Sequence, residues 1–221
     1  NSFITYKEFL KGAKKSKTGT FTLINQHLAL KKKEIIDLSL DPFLLSVAAK
    51  YLNTIPILTQ ANLLLTLPPY HNNFTSSELN AYAQEFHQDN EYFSFLKVFI
   101  YLTDVAENNG PHVYVLESHK KQLIDYKIPF SKRINDQAIK RIYGEDKINK
   151  VLGKKGTTIF GDTHCAHKGT TPKNGHRLMI QLEYASTLYG SDTPPFDLSY
   201  SGNLYKKFPR LFENFNQYRS K

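Results

Sequence analysis

Three short segments carry the side chains best suited to chemistry. His87-Gln88-Asp89 sets an imidazole and a carboxylate two residues apart, a spacing that on a strand aims both at one point. His167 follows 78 residues after Asp89, beside the turn-rich run Lys168-Gly169-Thr170-Thr171-Pro172. Arg177 comes ten residues after His167 and opens the strand-like run through Leu182. Two His and one carboxylate with open positions left over form the facial triad of non-haem Fe(II) centres. The other three octahedral positions would take a bidentate 2-oxo acid and O2. A 2-oxo acid with a distal carboxylate needs a cation at its far end. Arg suits it better than Lys because its planar fork pairs a carboxylate through two hydrogen bonds. If residues 168–176 form a turn, the flanking strands are expected to be antiparallel neighbours. Arg177 would then stand across from His167, at the far end of an iron-chelated 2-oxoglutarate.

Other residues compete for these roles. His164 is a rival third ligand, but it lies three residues from His167, so on a strand the two would face opposite sides. A zinc site from His164, Cys165 and His167 requires adjacent ligands to converge, which a strand opposes. Cys165 could act as a nucleophile, although a lone Cys is more often a small buried hydrophobe. His119, after Ser118, reads as closing a turn, His112 as packing or a pocket wall, and His176 as turn surface. Lys97 interrupts an apolar strand and shares the parity of Phe99, Tyr101 and Thr103. It either points outward or, with Tyr101, reaches inward to 2-oxoglutarate or substrate. Thr170 or Thr171 could add a hydroxyl to the distal carboxylate, and turn chemistry accounts for both equally well.

Elements must bring these segments together. A short helix is expected over Thr5 to Ala13 and a strand over Phe21 to Ile24. Asp41-Pro42 opens a helix through Leu52, with Asp41 as N-cap and Leu44, Val47, Ala48 and Tyr51 as its apolar stripe. Ile57 to Leu67 reads as extended. The later chain turns to β-type runs at Phe93 to Val105, Pro111 to Leu116, Thr157 to Phe160 and Arg177 to Tyr184. The second of these is entered through the turn Asn108-Asn109-Gly110-Pro111. A polar helical insert is expected over about 132–152, carrying Ala138, Ile139, Ile142 and Ile148. The pattern predicts a mostly β antiparallel barrel or jelly roll with flanking helices. A single domain over 1–221 is expected. Its parts are an N-terminal region (1–75) packing on the barrel, a core (76–190) and a C-terminal extension (191–221).

Composition sets the outer bounds. The 221 residues suffice for one sizeable core, and 40% hydrophobic with 22% charged excludes a disordered chain. No apolar run reaches the ~18 residues of a membrane span, and no signal peptide is read. One Cys precludes an intrachain disulfide and fits a reducing compartment, so a cytoplasmic location is expected. The net charge is +9, but only five of the 29 basic residues are Arg, and the Lys are scattered. Nucleic-acid recognition leans on Arg and interleaved aromatics, so nucleic acid is not the expected partner.

The ordered motifs resemble the phytanoyl-CoA dioxygenase (PhyH-like) family of Fe(II)/2-oxoglutarate oxygenases. The resemblance spans roughly residues 82–187. It rests on His87-Gln88-Asp89, the strand Phe95 to Val105, Asn109-Gly110-Pro111-His112-Val113-Tyr114-Val115 leading to Ser118-His119, and Gly161-Asp162-Thr163 through His167-Lys168-Gly169 to Arg177. It implies a double-stranded β-helix, cupin-like in form. It implies His87, Asp89 and His167 as iron ligands and Arg177 as partner of the 2-oxoglutarate distal carboxylate. Related halogenases carry a small residue at the position of Asp89, so hydroxylation of a small-molecule substrate, with 2-oxoglutarate yielding succinate, is expected over chlorination, while desaturation, ring closure and epimerisation would use the same triad. Two other readings stay open: a jelly-roll binding module without turnover, and a basic nucleic-acid-associated protein.

Overall fold

Strong local signals seed the first elements. In this computed structural model residues 22–24, 32–68, 83–189 and 204–213 are described, and the helix expected over 5–13 lies outside them. Strand β1 (Thr22–Ile24) precedes helices α1 (Lys33–Ser39) and α2 (Pro42–Leu52). The Asp41 carboxylate accepts from the backbone N–H groups of Phe43 and Leu44, both at 3.0 Å, and Pro42 takes the first turn. Asn53, left-handed at φ 53°, closes α2. The buried stripe is Leu44, Ala48 and Leu52. Tyr51, expected on that stripe, is 46% exposed, and its hydroxyl reaches Asp162 instead.

The remaining elements are β2 (Ile57–Thr66), β3 (Phe95–Tyr101), β4 (His112–Val115), α3 (Asp136–Tyr143), β5 (Ile148–Val151), β6 (Thr158–Gly161), β7 (His167–Lys168), β8 (Arg177–Ala185) and α4 (Leu204–Lys207). Two sheets form, in the orders β1-β2-β8-β3-β6 and β5-β4-β7, with every pair antiparallel. This is the expected β-rich jelly roll with few helices. Strand β2 lies inside the larger sheet against β8, so the core sheet draws on chain before residue 76.

Alternation along the strands separates two faces of the large sheet. Leu96, Val98 and Ile100 with Ile180, Leu182 and Tyr184 pack against Leu44, Ala48 and Leu52 of α2 and against Leu211 and Phe212. Burying each such side chain contributes roughly 1.5–3 kcal/mol. The opposite face carries Phe99, Tyr101, Leu64 and Met179 toward Tyr114 of the small sheet. A bulge in β2 between Leu58 and Gln60 keeps Leu58 and Ala61 on the helix-covered side.

Two expectations are corrected here. The helical insert over 132–152 is helical only through Tyr143. Gly144 at φ 93° ends α3, Glu145–Lys147 makes a single 3-10 turn, and Ile148 begins β5, which pairs with β4. The strands flanking 168–176 are not hydrogen-bonded neighbours either: β7 belongs to the small sheet and β8 to the large one. The connection crosses between sheets instead of forming a hairpin.

Candidate metal and cosubstrate site

The small sheet positions the two imidazoles. His87 is held outside any long strand by a single antiparallel bridge to His167, through backbone bonds of 3.0 and 2.9 Å. Asp89 N–H donates to Thr163 O at 2.9 Å, so the segment is extended although it is not the ladder strand expected for H-x-D. Gln88, pointing the other way, donates to His164 O and accepts from Leu123 N–H. That leaves His87 and Asp89 on one side. His87 Nε2 stands 3.6 Å from Asp89 Oδ1, His167 Nε2 3.4 Å from Asp89 Oδ2, and the two imidazole centroids are 4.3 Å apart. All three candidate ligand atoms lie within 4.8 Å of one another. Octahedral ligands ~2.1 Å from one ion sit about 3 Å apart, so this group could hold one with small adjustments. Among the described residues no other set of three such side chains converges.

The imidazole tautomers follow from the backbone. His87 Nδ1 is 2.9 Å from Glu85 O, and His167 Nδ1 is 3.0 Å from Cys165 O. Each Nδ1–H therefore donates to a carbonyl two residues back, and each Nε2 keeps its lone pair for a metal. Burial, with the neighbouring imidazole, pushes His87 down to about 3, and burial also lowers His167. Both rings are neutral, the state a metal ligand requires. Burial opposes ionisation of Asp89, but the Lys97 ammonium, which also hydrogen-bonds it, outweighs this and holds the carboxyl below its usual range.

Lys97 points inward. Its Nζ sits 2.8 Å from Asp89, 2.9 Å from Glu91 and 3.1 Å from Glu183, and its side chain is buried. Burial disfavours the ammonium, yet the three carboxylates raise it well above its ordinary range. Burial and Glu91 push Glu183 up to about 8. Its Oε1 accepts from Thr59 Oγ1 at 2.6 Å. The ammonium thus props the carboxylate of the His-Asp-His group.

Arg177 opens β8 on the cavity face of the large sheet. Its guanidinium donates to Gly110 O and, at 3.2 Å, to Thr66 Oγ1, while Nε has no partner among the described residues. No ion pair among the described residues includes it, and burial lowers it to about 10. A fully buried guanidinium without an anion is costly. His87, Asp89, His167 and Arg177 all line a single cavity of about 250 Å3.

The other expected residues fall elsewhere. Tyr101 is fully buried, its hydroxyl donating to Val151 O at 2.9 Å and accepting from His112 N–H at 3.1 Å. Thr170 Oγ1 donates to Pro111 O, and Thr171 Oγ1 to Gln84 at 2.9 Å. Neither hydroxyl lines the cavity. His164 bonds Asp162 and lies 4.5 Å from the Phe95 ring. Cys165 is buried 3.2 Å from His119 Nδ1, and burial pushes its thiol up, as suits a packing residue. Sequence reading missed Thr66, Gln60, Asn62 and Gln181. The three amides form a bonded cluster in the cavity wall, with Asn62 donating to Gln60 at 3.1 Å and Gln181 donating to Gln60 at 2.9 Å. The even parity of Gln60, Asn62 and Thr66 was the available signal, obscured by the bulge before it.

Comparison with known proteins agrees with this geometry. The sequence profile of the phytanoyl-CoA dioxygenase (PhyH) family matches residues 9–178, reaching far before residue 82 where the quoted resemblance begins. No curated protein matches the chain. Among solved structures, HygX from Streptomyces hygroscopicus with nickel and 2-oxoglutarate bound is 16% identical, with a TM-score of 0.56 over 90% of this chain and 84% of HygX. The non-heme alpha ketoglutarate dependent carbocyclase SnoK from nogalamycin biosynthesis is 17% identical, with a TM-score of 0.53 over 74% of this chain and 62% of SnoK. AviO1 from Streptomyces viridochromogenes Tue57 is 19% identical, with a TM-score of 0.51 over 82% of this chain and 77% of AviO1. At such identities the likeness is one of fold. HygX has also been crystallised with iron.

Proposed function

The chain belongs to the phytanoyl-CoA dioxygenase family, and from that premise we propose that it is an Fe(II)- and 2-oxoglutarate-dependent oxygenase that hydroxylates a small organic substrate. One O2 is consumed per turnover. One oxygen atom enters the substrate as hydroxyl, and the other enters succinate as 2-oxoglutarate loses CO2. The observation that carries the reading is the meeting, in one cavity, of a His-Asp-His group with two buried imidazoles and a buried Arg that has no anionic partner among the described residues.

In this reading His87, Asp89 and His167 hold the iron, two neutral Nε2 lone pairs and one carboxylate serving as ligands. Iron there supplies the activation of O2, with the 2-oxo acid as reductant. The residues do the positioning. Lys97 fixes Asp89, the Glu85 and Cys165 carbonyls fix the ring planes, and Arg177 takes the distal carboxylate through its free Nε edge. The amides of Gln60, Asn62 and Gln181 give the cavity wall a polar character that suits a substrate bearing hydroxyl or amine groups.

The test is succinate formation. Protein loaded anaerobically with Fe(II) and 2-oxoglutarate, then exposed to O2, is expected to release succinate. Asp89→Ala and His167→Ala are expected to abolish release, and near-normal release from either removes that residue from the ligand set.

A further inference from the structure

His112 begins β4 and is 4% exposed, yet neither of its ring nitrogens has a partner among the described residues. Buried polar atoms are paired in the great majority of cases, and an exception calls for a missing partner. The ring lines the same cavity as the His-Asp-His group and Arg177. It is parallel to His167 within 10° at 5.6 Å between centroids, and it is flanked by Phe99 at 4.7 Å and Tyr114 at 4.6 Å. Two residues earlier in the chain, Gly110 O anchors the Arg177 guanidinium. His112 is therefore placed along the wall that joins the metal-binding group to the cation. Its backbone N–H is tied to Tyr101 Oη, which fixes the start of β4. A Leu or Phe would satisfy Phe99 and Tyr114 without leaving two nitrogens bare.

We infer that His112 is a cosubstrate-binding residue, donating an imidazole N–H to 2-oxoglutarate where it lies between the His-Asp-His group and Arg177. This rests on the oxygenase reading above. 2-Oxoglutarate offers only hydrogen-bond acceptors, so one N–H is what the site must add beside the guanidinium. An imidazole in either neutral tautomer carries one such donor. A donor to a charged acceptor in a closed cavity is among the stronger hydrogen bonds.

Calorimetric titration of 2-oxoglutarate into anaerobic, Fe(II)-loaded protein tests it. His112→Leu is expected to raise the Kd for 2-oxoglutarate about tenfold or more. His112→Gln, which keeps a donor, is expected to recover most of that loss. Fe(II) affinity is expected to be unchanged in both. Wild-type binding of 2-oxoglutarate with an unaltered Kd in His112→Leu would overturn the inference. So would a loss of Fe(II) affinity, which would make His112 a mere support for His167. Failure of the wild type to bind 2-oxoglutarate at all would instead sink the oxygenase reading. Should His112→Leu not fold, 15N-labelled histidine in Zn(II)-loaded wild type decides. A new, slowly exchanging His112 ring N–H on adding 2-oxoglutarate supports the contact, and no change removes it.

Discussion

An ammonium buried among Asp89, Glu91 and Glu183 is expensive to desolvate and more expensive to lose. Lys97→Met is expected to destabilise the fold by roughly 3–5 kcal/mol in denaturant unfolding, because the ionised Asp89 beside it loses its cation. Adding Asp89→Asn should restore part of that loss, and additive destabilisation would contradict the coupling. Arg177→Leu is expected to weaken 2-oxoglutarate binding by roughly 2–5 kcal/mol while leaving Fe(II) binding intact, measured by calorimetry. Equal cosubstrate affinity in the variant would exclude the ion pair. At this scale the sequence named His87, Asp89, His167 and Arg177, which the folded chain gathers in one cavity. It left Lys97 undecided because parity groups Lys97 with Phe99 and Tyr101 without saying which side of the strand is inside. That depends on Glu183, which pairs across from Lys97 only once β3 lies against β8. The imidazole tautomers of His87 and His167 were equally hidden, since they are set by main-chain carbonyls.

Between elements, the two sheets approach closely at Gly161, the last residue of β6. A Cβ built there would collide with Tyr114 Oη from β4. Gly161→Ala is expected to cost roughly 1–3 kcal/mol and to lower Tm. A neutral substitution would show that Tyr114 can swing aside. Element types were readable where local chemistry is strong. Asp41 and Pro42 mark the start of α2 unambiguously, and the Phe95 to Tyr101 run reads as a strand. They were unreadable where pairing decides. Strand β7 is two residues long, too short for any period, and β5 is a strand because β4 offers it an edge. The N-terminal region over 1–75, expected to pack on the barrel, supplies β2, which lies between β1 and β8.

For the whole molecule, the site weighs on pH stability. His87 titrates near 3 in the fold against an ordinary 6.5, and His167 and Asp89 are also lowered. Groups depressed by folding bind fewer protons in the native chain than in the unfolded one. Their stabilisation is present above pH 6.5 for the imidazoles and is lost as the pH falls toward 3. The metal-free protein is expected to lose Tm steadily from pH 7 to pH 5. Divalent metal should raise Tm most at the upper end, where protons compete least for the ligands. A flat Tm across that range would contradict neutral, buried rings. At the surface Lys147, Lys150 and Lys154 pair with Glu117, Glu107 and Asp104. No helix among the described residues is long and apolar enough to cross a membrane.

His167 and Arg177 stand on different sheets, with residues 169–176 as the chain between them. A molecule gripped at one end by each would bridge the seam of the sandwich and tie its two leaves together. Parting the leaves even slightly would free one end, so shortening of the tie by loss of CO2 would itself loosen the grip. Breathing of the sandwich and departure of the spent cosubstrate would then be one motion.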